Sequence, residues 1–257
     1  MSNGTAITRA ISPALGECEL THLSRVPIDV ERAKLQHGVY EQALREAGFA
    51  VEQLPSTGEM PDSVFVEDIA VVFHELAIIT RPGAESRRIE TPEVADALAR
   101  HRELQALKEP GTLDGGDVVV AGKQVFVGLS TRTNDAGAAQ MARMLQPYGY
   151  RVREVVVRGC LHLKSAATTL ADDLILINPD WIDPASFVGF RLVEVDPEEP
   201  AAANALALHD RIVFSAAFRR TAAKLERLGL CLHRVDASEL AKAEGAVTCC
   251  SLIVRQD

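Results

Sequence analysis

The sequence predicts an α/β ring, a five-bladed propeller of ββαβ-type units closed by its N- and C-terminal strands. Three observations predict it. A similar order of apolar runs and turns recurs along the chain. Each unit is expected to open with a short strand carrying polar residues at its start, namely Asp68, Asp117, His162, Asn204 and Cys249, at steps of 49, 45, 42 and 45 residues. The last unit is left unfinished at the C-terminus, and the N-terminal segment supplies what it lacks. Self-similarity at a fixed period marks a solenoid or a propeller. Closing the last unit with the first strand removes the free sheet edge, which favours the ring.

The elements follow in chain order. The N-terminal segment holds a strand in TAITRAIS, then a helix in DVERAKLQHGVYEQALREAG with Asp29 as cap and Gly48 as stop, then a strand in FAVEQLP. An Asp before a periodic run satisfies orphan N–H groups, and a glycine past its end accepts the left-handed turn. The first full unit reads VFVEDIAVVF, HELAIITRPG and a helix through TPEVADALARH. The second is clearest: LDGGDVVVA, the turn AGKQ, the strand VFVGLS, the helix NDAGAAQMARMLQPYG and the strand YRVREVVV. Asn134 is its expected N-cap and Gly149 its stop. The third unit is LHLKSAATTL, DLILINP, a short helical stretch and FRLVEVD. The fourth is AANALALH, DRIVFSA, TAAKLERLGL and CLHRVD. TCCSLIVR begins the fifth. No glycine-rich linker interrupts the series, so residues 1–257 are expected to form one domain.

Composition narrows the function. The net charge is −9, with no basic cluster beyond Arg87-Arg88 and Arg219-Arg220, whereas a nucleic-acid ligand calls for a basic stripe. The longest apolar runs, such as Ile69 to Phe73, fall far short of the ~20 residues that span a bilayer. Arg9, Glu17 and Glu19 break any export-signal core near the N-terminus. Five cysteines without a C-x-x-C argue against a disulfide framework and a structural zinc site. A cytoplasmic protein with free thiols is expected, acting on a small molecule, with neither nucleic acid nor membrane as partner and a homodimer left open.

In a ring of like units, positions at the same place in the repeat point to the same axis. The symmetry thus gathers Glu67, Asp68, Asp114, Asp117, His162, Asn204 and Cys249. A cysteine beside a histidine and carboxylates is what nucleophilic catalysis by a thiolate requires. A protonated histidine or a cationic substrate lowers the thiol pKa, and a carboxylate orients the histidine. The acidic cluster lacks the ligand spacing of a metal site, so neither metal nor cofactor is expected.

Six motifs carry a family resemblance over essentially the whole chain: PDSVFVED (61–68), ITRPGAESRR (79–88), GTLDGGD (111–117), GLSTRTN (128–134), LHLKS (161–165) and EGAVTCCSL (244–252). Together they resemble the dimethylarginine dimethylaminohydrolases, which sit with arginine deiminases and amidinotransferases among the guanidine-modifying enzymes and share the five-bladed propeller. The resemblance implies that Cys249 is the nucleophile, rather than Cys250, with His162 as general acid–base and Asp114 as its carboxylate partner. It further implies that Asp62, Glu67 and Asp68 hold the guanidinium with Phe65 packed beside it. Arg87 and Arg132 would clasp the substrate carboxylate, and Leu20 (in a loop from Ile11 to Val26) and Ala243 would offer backbone carbonyls. The expected reaction is hydrolysis of asymmetric dimethylarginine and monomethylarginine to citrulline and an amine, through a covalent thiouronium on the cysteine. The alternatives are an arginine deiminase-like enzyme, whose relatives are usually longer, and a catalytically silent propeller acting as a binding module.

Overall fold

The computed structural model describes residues 3–256; Met1, Ser2 and Asp257, the ends of the expected 1–257 unit, lie outside them. The chain opens with β1 (Gly4–Arg9), α1 (Val30–Glu46) and β2 (Phe49–Leu54). The Asp29 side chain accepts from the Arg32 backbone N–H, capping α1 as expected. Gly48 ends it at φ +85°, a region open to glycine at no steric cost. One face of α1 is apolar at helical spacing, and Ala33, Tyr40, Ala43 and Leu44 are buried on it.

Each following unit is a hairpin, a helical crossover and a returning parallel strand. The first contains β3 (Ala70–Val72), β4 (Leu76–Ile79), α2 (Thr91–Leu98) and β5 (Glu103–Ala106). The second contains β6 (Val118–Ala121), β7 (Gln124–Leu129), α3 (Asp135–Leu145) and β8 (Arg151–Val156). Here the Asn134 side chain accepts from Gly137 N–H, so the expected cap is the real one. The third holds α4 (Leu163–Ala166), β9 (Ala167–Ala171), β10 (Leu174–Ile177), a 3₁₀ turn over Pro184–Phe187 and β11 (Arg191–Glu194). The fourth holds β12 (Ala205–Leu208), β13 (Arg211–Ser215), α5 (Arg219–Arg227) and β14 (Leu232–Val235). After α6 (Ser238–Ala241) comes β15 (Leu252–Arg255), which pairs antiparallel with β1 from Gly4 opposite Arg255 to Ile7 opposite Leu252. β1 in turn runs parallel to β2. The termini therefore build the fifth blade together, as the unfinished last unit predicts.

The result is five three-stranded sheets. The apolar cores lie between blades rather than within them. Val71, Leu76 and Ile78 of the first blade pack with Val118, Val125 and Met141 of the second. Equivalent clusters join the second to the third, the third to the fourth, and the fourth to the fifth. Ile7, Leu252 and Val254 of the fifth blade close the circle against Ile69, Ala77 and Ile79 of the first. The inner strands β3, β6, β9, β12 and β15 surround an axial channel of about 590 Å³. Among the described residues, no helix is long and apolar enough to cross a membrane.

One local expectation is corrected. The polar residues that open the units were expected at the starts of strands, but most sit on single helical turns just before them. Glu67 and Asp68 lie on a 3₁₀ turn (Val66–Ile69), Asp117 on another (Gly115–Asp117), and His162 at the N-cap of α4. Asn204 follows a third 3₁₀ turn, over Pro200–Ala203. Strand alternation would drive every second side chain into an inter-blade core. A preceding turn instead gathers the polar groups at one end of the axis.

Candidate active site

At that end, residues distant in sequence line one small cleft of about 20 Å³: Cys249 and Ala243 from the C-terminal segment, His162 from the third unit, Asp114 and Arg132 from the second, and Asp62, Phe65, Asp68 and Arg87 from the first. Nine of the eleven expected site residues thus converge. Glu19, Leu161, Glu244 and Gly245 complete the wall, and none of these four was expected. Gly245 is a residue that sterics require, since a Cβ there would lie 2.1 Å from the Phe65 ring.

His162 is 6% exposed. Its Nε2 lies 3.0 Å from Asp114 Oδ2, and its Nδ1 lies 3.8 Å from Asp68 Oδ1. Each acid is held in turn: Gly83 N–H donates to Asp114 Oδ1 at 2.9 Å, and Gly116 N–H to Asp68 Oδ1 at 3.1 Å. Burial alone would depress the imidazole pKa, but the charge of Asp68, the hydrogen bond to Asp114 and the charge of Asp117 outweigh it and raise the value to about 9. His162 is therefore a cation at neutral pH. Asp117 does not face the cleft. It accepts from Ser130 Oγ, Thr133 Oγ1 and the Leu163 backbone N–H, tying the loop that carries Arg132 to the start of the third unit. Burial raises its pKa to about 6.

Cys249 is half-buried, whereas Cys250 is 1% exposed and part of the core between the fourth and fifth blades. The adjacent thiols thus separate into one that reaches the cleft and one that packs. Burial, then the charges of Glu67 and Asp68, push the Cys249 thiol up to about 12. Of the two expected sources of thiol activation, a protonated histidine or a cationic substrate, the histidine alone does not outweigh burial and the nearby acids. Added positive charge inside the cleft is what would reverse the balance.

Two of the expected residues are engaged by other groups of the protein. Glu67 was expected to hold a guanidinium, but its carboxylate turns from the cleft towards the channel end. There it accepts from Lys164 Nζ at 2.5 Å and from Thr248 Oγ1 at 2.7 Å. Asn204 completes this support: its Nδ2 donates to Thr248 Oγ1, and its Oδ1 accepts from Thr248 N–H. Lys164 and Thr248 were not expected as participants, although both lie inside quoted motifs. Arg87 was expected to clasp the substrate carboxylate together with Arg132. It lines the cleft, but its Nε and Nη2 donate to Glu90 and its Nη1 to Asp68 at 2.5 Å, with the Asp62 and Phe65 carbonyls taking further bonds. A buried guanidinium must be paired in this way, which leaves Arg132 as the accessible fork. Arg132 Nη2 donates only to Thr21 Oγ1, at 3.2 Å, among the described residues.

Asp62 is 5% exposed, with burial raising its pKa to about 6 despite Arg87, and it accepts from Glu19 N–H. Leu20 is outside the cleft lining and packs partly against the core between the fourth and fifth blades. Asp68, Asp114 and His162 have ligand atoms within 4.8 Å of one another, a spacing that would admit a cation. Arg87 Nη1 and the His162 ring already lie against these two acids.

The family described as N,N dimethylarginine dimethylhydrolase, eukaryotic, matches residues 24–191. The N(G),N(G)-dimethylarginine dimethylaminohydrolase of Streptomyces coelicolor is 42% identical over 258 residues, covering 100% of this chain and 99% of that protein. The chain superposes on a cysteine-to-serine mutant of the Pseudomonas aeruginosa dimethylarginine dimethylaminohydrolase complexed with citrulline, with a TM-score of 0.93 at 34% identity, covering 98% of this chain and 100% of the other. A histidine-to-glycine adduct of a dimethylarginine dimethylaminohydrolase with S-methyl-L-thiocitrulline gives a TM-score of 0.92 at 34% identity, with the same coverage.

Proposed function

The chain belongs to the dimethylarginine dimethylaminohydrolase family, and from that premise we propose how its own residues carry out the reaction. It is a hydrolase that cleaves a guanidino C–N bond, converting Nω-methylated arginines to citrulline with release of dimethylamine or methylamine. The observation that carries the assignment of roles is the convergence of Cys249, His162 with its Asp114 partner, and the buried Asp62 and Asp68 in one cleft.

The substrate guanidinium enters beside Asp62 and Asp68, with the Phe65 ring against it. Its positive charge offsets the acids that hold the Cys249 thiol up, so the thiol loses its proton to solvent as the substrate binds. The thiolate attacks the guanidinium carbon. His162, already protonated, donates its proton to the departing nitrogen, and the C–N bond breaks to release a neutral amine. A thiouronium remains on Cys249. Neutral His162 then takes a proton from water, the hydroxide attacks the same carbon, and the C–S bond breaks to free citrulline and the thiolate. The remaining proton returns to the thiol or to solvent. General acid–base assistance of this kind is worth about 10²–10⁴-fold. Arg132 takes the substrate carboxylate, and the backbone carbonyls of Leu20 and Ala243 are read as acceptors for its amino group.

We read residues 1–257 as one unit, because the fifth blade needs both ends of the chain. A cytoplasmic location fits the five free cysteines. A homodimer fits the apolar pair Leu35 and Val39, 74% and 55% exposed and one helical turn apart on α1. Citrulline release from asymmetric dimethylarginine and monomethylarginine, compared with arginine, tests the reading. Equal or faster turnover of arginine would contradict it in favour of a deiminase-like enzyme.

A further inference from the structure

The cleft volume of about 20 Å³ holds roughly one water, far too little for an amino acid with a guanidino tail. Some part of the wall must therefore move. Blades and their helices cannot do so cheaply, because their apolar faces form the inter-blade cores. The segment between Cys18 and Asp29 is different: it contains neither helix nor strand, and residues 21–27 are exposed. Leu20 and Ile28 pack partly against the core between the fourth and fifth blades; the rest of the segment's attachment is through polar contacts, most of them made by its backbone.

Three successive backbone N–H groups, those of Thr21, His22 and Leu23, donate to the carboxylate of Glu244, the latter two at 2.6 Å. Glu244 is a non-glycine residue at φ +58°, a conformation that L residues seldom adopt and that tends to mark a functional constraint. The same residue lines the cleft. Thr21 also accepts from Arg132, the fork assigned to the substrate carboxylate.

We propose that Glu244 is the latch of an active-site lid, a positioning residue whose carboxylate holds Glu19–Arg25 closed over Cys249. Release of its three N–H bonds admits the substrate and frees citrulline. The arrangement places three adjacent bonds of the exposed stretch Thr21–Leu23 on one charged group. The lid is thus drawn from the low-stability end of the structure, as a moving element must be. Closure and substrate binding also share Arg132, so a bound carboxylate and the lid hydroxyl of Thr21 meet at one guanidinium. The kinetic consequences rest on the function proposed above, whereas the latch itself does not.

The test compares wild type with Glu244→Gln, which keeps the shape and removes the charge, and with Glu244→Gly, which removes the latch while relaxing the backbone. Two measurements need no turnover. One is tryptic cleavage after Arg25, whose guanidinium in the closed loop donates to the Gly16 and Cys18 carbonyls. The other is alkylation of Cys249 by iodoacetamide at fixed pH. Both should quicken about tenfold or more in each variant, as loss of a charge-assisted bond implies. The KM for methylarginine should rise by a similar factor while kcat changes less, and Glu244→Asp should restore part of each effect. Cleavage and alkylation at wild-type rates in both variants would overturn the latch. Faster cleavage with an unchanged KM would overturn its role in admitting substrate. If wild type turned over no methylarginine, the proposed function would fail while cleavage and alkylation still decided the latch.

Discussion

His162 Nε2 lies 3.0 Å from Asp114 Oδ2, with both side chains more than nine-tenths buried. An imidazole removed from water should become neutral, yet here it is held as a cation, so the carboxylates around it decide its charge. A cationic His162 cannot act as the base that ionises Cys249. It is instead poised as the acid for the departing amine, and it becomes a base only after that proton has gone.

The first prediction concerns pH. Because the folded-state pKa of His162, about 9, lies above its ordinary 6.5, its contribution to stability is fully present below pH ~6.5 and is lost as pH rises through about 9. Asp114→Asn should therefore lower unfolding free energy most at pH 6, with the gap to wild type closing towards pH 9 and above. The alkaline limb of kcat/KM should move to lower pH in the same variant. Denaturant unfolding across pH and a pH–rate profile measure the two effects.

The two arginines should separate. Arg132→Ala should reduce kcat/KM for methylarginine by about 10–100-fold, the loss of a charge-assisted contact, while barely affecting a simple alkylguanidine that lacks the carboxylate. Arg87→Ala should lose activity on both substrates and lower Tm, because it leaves Asp68 and Glu90 buried without their cation. Breaking a buried pair of this kind costs about 3–5 kcal/mol. Comparing both variants on both substrates isolates the coupling.

Glu67→Gln should lower the pKa of Cys249. Burial is the largest cause of the raised value, and the Glu67 charge is the next. Removing that charge also frees the Lys164 ammonium, now 2.5 Å from Glu67, to favour the thiolate. The thiolate absorbance of the substrate-free protein, measured against a Cys249→Ser background, should appear at lower pH in the variant than in wild type.

Much of this architecture was legible, and the exceptions have physical causes. α1 and α3 are long enough for their apolar spacing to show, and their caps Asp29 and Asn134 are where side-chain chemistry requires them. The ring followed from the repeat, and the ring placed Cys249 beside His162. Single helical turns have no period to read, so in sequence the turns that carry Glu67, Asp68 and Asp117 look like strand starts. On a 3₁₀ turn, neighbouring side chains point about a third of a turn apart, so Asp68 reaches the cleft while Glu67 faces the axis. Arg87 had a signal, since Glu90 lies three residues on, within reach on the same turn. Glu244 had none, because its left-handed backbone and its bonds to residues more than 200 positions away exist only in the folded chain.

The central claim, that Cys249 alone carries the guanidino carbon between two half-reactions, is tested most directly by trapping it. His162→Gly weakens both proton transfers, so acid-quenched protein incubated with methylarginine should retain an adduct equal in mass to the substrate less its amine. The account predicts that peptide mapping places this adduct on Cys249, that Cys249→Ser abolishes it, and that Cys250→Ser leaves it intact. An adduct on Cys250 or Cys160, or undiminished turnover in Cys249→Ser, would contradict the account.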